Sequence, residues 1–205
     1  MEQTDLPSIQ EAEKLLTWAH NNNPGPWLNH SRVVARAAKT IAKKADMDVN
    51  TAYILGLLHD IGRYEGVTGL RHVFQGYRLM QEKGYHLNAK ICLTHSFPCK
   101  DIDSFVGKND CTPDETLAIR EALEKFVYDD YDRLIQLCDA ICMAEGVCIL
   151  EVRLVDVVRR HNTFNPKILE KWNAFFGLKE HFDKKCKTSI YNLFKKEITG
   201  NLLNG

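Results

Sequence analysis

The chain reads as a series of amphipathic segments of helical period, separated by short clusters of helix-breaking residues. Ser8, Ile9, Gln10 and Glu11 have the form of a capping box, which predicts a helix running to about residue 20. Residues 21–26 (Asn-Asn-Asn-Pro-Gly-Pro) break it. A second helix is predicted over 28–45, with Val33, Val34, Ala37, Ala38 and Ile41 on one face and Lys39, Lys43 and Lys44 turned outward. His30 lies one turn before that apolar stripe, at its head. Asp48 or Asn50 can cap a third helix, whose apolar segment 52–58 runs straight into His59 and Asp60. Gly62 then stands where a helix can end.

The same reading continues to the C-terminus. Residues 64–71 form a loop with Gly66 and Gly69, and 71–83 form a helix stopped by Gly84. Asn88 is the expected cap of a short helix over 89–94 that delivers His95. Residues 97–111 are the longest loop. Thr112, Pro113, Asp114 and Glu115 open a helix to about 127, with a Thr cap, Pro at the first position and an acid at the third. A helix from about 132 to 143 is apolar on nearly every side and carries Asp139 in its middle. Further helices are predicted over 147–160, 166–176 and 179–203. No alternating strand, internal repeat or low-complexity segment interrupts the pattern, so the class is all-α.

Composition narrows the picture. The 205 residues suffice for one domain, and 44% hydrophobic residues supply its core. We expect an N-terminal helix and linker over 1–27, a core over 28–145 and C-terminal helices packed on it over 146–205. The balance of 27 basic against 27 acidic residues gives no broad field for a nucleic-acid polymer or a membrane. The 7 cysteines are odd in number and include no Cys-x-x-Cys pair, which speaks against a disulfide framework and a zinc knuckle. The acidic, polar N-terminus is unlike a signal peptide, and no apolar run reaches the roughly 18 residues needed to span a bilayer. The expectation is a reduced, soluble, cytoplasmic protein.

The candidate chemistry lies where the pattern is violated. Burying an imidazole and a carboxylate at the end of an apolar helix costs free energy unless both find partners. A divalent metal would satisfy both His59 and Asp60. The plain alternative is a helix cap, with Asp60 turned to water. A carboxylate at Asp139, inside an apolar helix, raises the same question, and its ordinary answer is a pair with Arg120 or Arg153. His30 could be a helix-start histidine bonded to a backbone carbonyl. Together, four ligand-type residues on three apolar helices favour a metal over separate explanations.

His30, then His59-Asp60, then Asp139, with the run Leu57-Leu58-His59-Asp60-Ile61-Gly62-Arg63, resembles the HD-domain superfamily of metal-dependent phosphohydrolases over about residues 28–144. The resemblance implies an all-α bundle holding a divalent metal, with His30, His59, Asp60 and Asp139 as ligands and His59 and Asp60 at the catalytic centre. The implied activity is hydrolysis of a phosphoester or phosphoanhydride in a small phosphorylated metabolite, foremost a nucleotide. A bound metal makes hydroxide available near neutral pH and polarises the phosphoryl oxygen. Mixed imidazole and carboxylate ligands suit Fe, Mn, Zn, Co or Ni.

Some branches of this superfamily hold two metals, and His72 and His95 fall where the additional ligands would be. The other reading of both is phosphate binding through imidazolium. Arg63 and Arg71 are candidate phosphate-binding residues, since either offers a guanidinium fork. Lys100 and Lys108 in the long loop read as solvated charges, and His20, His86, His161 and His181 as surface residues. The Gly-Tyr-Pro signature of cyclic-dinucleotide phosphodiesterases is missing, which disfavours that activity. Three other functions stay open: a di-iron oxygenase on the same six ligands, a metal- or nucleotide-binding module without turnover, and a purely structural α-bundle with no metal. The sequence leaves a homodimer open.

Overall fold

A computed structural model describes residues 5–162 and 165–203 of the chain. Residues 1–4 of the polar N-terminal stretch lie outside them. The structure is all-helical: α1 (Ile9–Asn22), α2 (Trp27–Lys44), α3 (Val49–Leu58), α4 (Arg71–Glu82), α5 (His86–Thr94), α6 (Pro113–Lys125), α7 (Asp130–Ile141), α8 (Leu150–His161), α9 (Ile168–Cys186), α10 (Ile190–Leu193) and α11 (Lys195–Leu203). Two 3-10 turns, Ile61–Glu65 and Ile102–Ser104, complete it. Among the described residues no strand forms, and the only β pairing is an isolated bridge between Cys142 and Val147.

The caps follow from side-chain chemistry. Asp48 accepts from the Thr51 amide at 2.7 Å and opens α3. Thr112 and Glu115 close a full capping box at the head of α6. α7 starts two residues earlier than the apolar pattern suggests, because Asp129 accepts from the amides of Tyr131 and Asp132.

Packing centres on α2, α3 and α7. Val34, Ala38 and Ile41 of α2, Leu55 of α3 and Leu134, Leu137 and Ile141 of α7 share one buried cluster with Phe175 and Phe182 of α9. α2 and α3 touch backbone to backbone at Gly56, where an added Cβ would lie 2.8 Å from Cα of Ala35. Only glycine permits that approach, which brings the head of α2 beside the tail of α3.

Several local expectations give way to tertiary packing. The helices predicted over 166–176 and 179–203 are instead one long helix, α9, followed by two short ones. A glycine inside a helix costs only about 1 kcal/mol, and Phe175 and Phe182, buried on either side of Gly177, outweigh it. The break comes at Lys187, in the left-handed conformation at φ 54°. Asn88 does not cap α5: it lies within the helix, buried, with neither amide atom hydrogen-bonded. The helix predicted from 147 begins at Leu150, because the Val147 amide is taken by Glu197 at 2.9 Å. Gly62 does not end α3. The helix stops at Leu58 and the chain winds on into the 3-10 turn.

Candidate metal centre

Six of the sequence-derived candidates meet at one point. His30 comes from the first turn of α2, His59 and Asp60 from the end of α3, His72 from the first turn of α4, His95 from the end of α5 and Asp139 from α7. His30 Nε2 lies 2.9 Å from Asp139 Oδ1, and His59 Nε2 lies 3.8 Å from the same oxygen. His59 Nε2 is 3.9 Å from Asp60 Oδ2. On the other side, Asp60 Oδ1 lies 3.1 Å from His72 Nε2 and 3.6 Å from His95 Nε2. Asp60 therefore belongs to two groups of ligand-type atoms, one with His30 and His59 and one with His72 and His95, the atoms of each lying within 4.8 Å of one another.

The rings are aimed by their other nitrogens. His59 Nδ1 meets the Gly56 carbonyl at 2.7 Å, His72 Nδ1 meets that of Gly69 at 2.5 Å, and His95 Nδ1 meets that of Cys92 at 2.9 Å. A carbonyl only accepts, so in each case Nδ1 is the donor and the Nε2 lone pair is left facing the cluster. Metal-binding imidazoles are held in this way. The cluster also contains buried polar atoms without a hydrogen bond: His59 Nε2, Asp60 Oδ1 and His72 Nε2. Such orphans are costly, and a cation in each of the two groups that share Asp60 would satisfy them. The donor set thus fits a divalent transition metal.

Electrostatics agree with ligation. Burial alone would raise the Asp60 carboxyl, but Arg63, His72 and His59 together hold it well below the usual carboxylate range. Burial opposes ionisation of Asp139 as well, and its hydrogen bond to His30 reverses the direction. Burial, with His59 beside it, pushes His95 down to about 3, so its imidazole is neutral.

The surrounding elements hold these groups in register. At Gly62 a Cβ would meet the His72 carbonyl at 1.9 Å, so the 3-10 turn can press against α4 and bring Asp60 up to His72. Asp110, in the long loop, accepts from the amides of Gly69 and Arg71 at 2.7 and 2.8 Å and fixes the approach to His72. Buried Asp132 of α7 accepts from Thr94 at 2.8 Å, and Gln136 donates to the Thr94 carbonyl at 3.0 Å, which anchors the residue before His95.

Arg63 and Arg71 part company. Arg63 lines the cavity over the cluster and donates from Nε to Asp60 Oδ2 at 2.6 Å. Arg71 is outside the cavity lining; Glu115, at 3.2 Å, and Glu65, at 3.8 Å, turn it away. The arginines offered as ordinary partners for Asp139 are engaged elsewhere, Arg120 with Asp103 and Arg153 with Asp156. Neither Lys100 nor Lys108 lines the cavity.

That cavity has a volume of about 620 Å³. The cluster forms part of its lining, and α8 and α9 contribute another part, with Leu154, Val157, Trp172 and Phe175. His161, read from sequence as a surface histidine, stands at its edge. Arg153 and Lys171 also line it. Lys171, not among the candidates from sequence, shares one buried stripe of α9 with Ile168 and Phe175 at helical spacing, a pattern visible in the sequence.

A family model described as HD domain matches residues 27–144. The chain belongs to the HD-domain family. HD domains bind divalent metals and are typical of metal-dependent hydrolases, and the matched segment contains all six clustered residues. No curated protein and no solved structure matches the chain. Helices α8 to α11 lie beyond the matched HD segment. Among the described residues no helix is long and apolar enough to cross a membrane.

Proposed function

We propose that the protein is a metal-dependent phosphohydrolase that cleaves a phosphoester or phosphoanhydride bond in a small phosphorylated metabolite, a nucleotide foremost. The observation that carries this reading is the trio of buried, unpartnered ligand atoms, His59 Nε2, Asp60 Oδ1 and His72 Nε2, in residues beside a cavity of about 620 Å³. The functional core is residues 28–145, with 1–27 an N-terminal helix and linker and 146–205 an added helical wall.

His30, His59, Asp60 and Asp139 would hold one ion, and His72 and His95, sharing Asp60, a second. Divalent metals supply Lewis acidity at the phosphoryl oxygen and a water acidic enough to lose its proton near pH 7. Asp60 is the residue on which both halves depend, since each of its oxygens faces a different set of imidazoles. His59 and His95 keep their Nε2 atoms aimed inward through their Nδ1 bonds to the backbone. Arg63 fixes Asp60 through Nε and has its terminal N–H groups left for phosphate oxygens. Leu154, Val157, Trp172 and Phe175 of α8 and α9 put apolar surface in the same cavity.

The test is a screen of nucleotides and generic phosphoesters with purified protein loaded separately with Mn, Co, Ni, Zn or Fe, in air and under nitrogen. Metal-dependent phosphate release that is the same in both atmospheres is expected. A product formed only in air, without phosphate release, would make the protein an oxygenase on the same ligands. Bound metal without either reaction would make it a binding module.

A further inference from the structure

Lys171 is a buried cation without a counter-ion. It lies on α9, outside the matched family segment, and is 8% exposed. Its ammonium carries three donors. The one hydrogen bond it makes among the described residues is to the Ser96 carbonyl, at 2.9 Å. The rings of Phe105 and Phe175 stand 5.8 and 6.0 Å away and share the charge. No carboxylate of the described residues comes within ion-pair distance. Asp139 acts on it only through space and is already bound by His30. Burial pushes the ammonium down to about 8, so it is still mainly charged at neutral pH.

A charge in that position costs stability unless an anion comes to it. The position also says where the anion would sit. Ser96 directly follows His95, so the ammonium stands within one residue of the clustered imidazoles, and both Lys171 and the cluster line the same cavity. A second cation comes from α8. Arg153 lines the cavity, pairs through Nη1 with Asp156 at 3.0 Å, and has a buried Nε with no partner. Its charge is felt at His30. Asp156, Arg160 and His161 of α8 also line the cavity, while Met143, Val157, Trp172 and Phe175 give it an apolar and aromatic surface beside Lys171.

We propose that Lys171 and Arg153 form an anion subsite that receives the phosphate of the substrate beside the metal cluster, while an apolar or aromatic body lies against Trp172 and Phe175. Substrate selection then resides in the C-terminal helices rather than in the HD segment. The identity of the anion as a phosphate rests on the phosphohydrolase reading; the subsite itself does not.

The experiment is titration of inorganic phosphate into metal-loaded protein, by calorimetry, for the wild type, Lys171→Met, Lys171→Arg and Arg153→Gln. Lys171→Met should bind phosphate at least about tenfold more weakly, as expected for a lost charge-assisted bond, with unchanged metal content and an unlowered melting temperature. Lys171→Arg should keep the affinity within a few-fold. A merely structural lysine predicts the opposite: a lower melting temperature and unchanged phosphate affinity, which would overturn the subsite. Should Lys171→Met fail to fold, Arg153→Gln decides, and unchanged affinity there overturns it. Phosphate binding that depends on Lys171 in a protein that hydrolyses nothing keeps the subsite and removes the phosphohydrolase reading. Hydrolysis with unchanged KM and phosphate affinity in Lys171→Met does the reverse.

Discussion

Oδ1 of Asp60 lies 3.1 Å from Nε2 of His72, and with the His72 proton on Nδ1 at the Gly69 carbonyl both facing atoms are acceptors. Two buried ligand-type atoms this close without bonding to one another are arranged for a third party. If that party is a second ion, His72→Ala should lower metal content from two ions to one and reduce turnover while leaving the helical fold intact. Metal analysis by mass spectrometry reads the stoichiometry directly. Unchanged stoichiometry with a raised KM would assign His72 to phosphate binding instead.

Arg63 and Arg71 should behave differently although both were phosphate candidates. Arg63→Ala removes the partner of Asp60 and a cation at the cavity, so phosphate affinity should fall by about tenfold. Arg71→Ala should leave KM and phosphate affinity unchanged, because Glu115 and Glu65 hold that side chain away. A KM defect in Arg71→Ala equal to that of Arg63→Ala would contradict the geometry.

Two glycines test the packing. Gly56→Ala sets a methyl 2.8 Å from Cα of Ala35, and the helices must part. The expected loss is about 1–3 kcal/mol, partly offset by a gain of up to about 1 kcal/mol in helix propensity. Gly177→Ala meets nothing within 4 Å and should stabilise α9 by about 1 kcal/mol. Urea denaturation of both variants gives the two signs.

Lys171 predicts a pH signature in the metal-free protein. Its native value is about 8 and its ordinary value 10.5. Below pH 8 both folded and unfolded chains hold the proton, and the folded state carries the full cost of the buried charge. Between pH 8 and 10.5 the unfolded chain binds more protons than the native one, so stability rises with pH. Relative to Lys171→Met, the wild type should therefore be least stable at pH 7 and recover as pH rises through that window. Parallel stability curves for the two proteins would show that the ammonium is solvated or paired.

The helical architecture was legible because each helix carries its own periodicity and most carry their own cap. The meeting of His30, His59, Asp60, His72, His95 and Asp139 was foreshadowed wherever a ligand-type residue interrupted or ended an apolar stretch. What remained hidden depends on contacts distant in sequence. The destination of Arg71 is set by Glu115, 44 positions away. Gly177 looks like a break until the burial of Phe175 and Phe182 is known. Lys171 and Arg153 resemble ordinary surface cations until α8 and α9 close the cavity over the cluster. Gly62 reads as a helix stop, and only the proximity of α4 reveals that it makes room for the His72 backbone.

The central claim is that these side chains hold a transition metal through Asp60. The most direct measurement is the metal content of purified wild type and Asp60→Ala, both checked for helical content by circular dichroism. The wild type should contain about one or two ions per chain, while folded Asp60→Ala should contain almost none and release no phosphate. Full metal occupancy in Asp60→Ala would contradict the account.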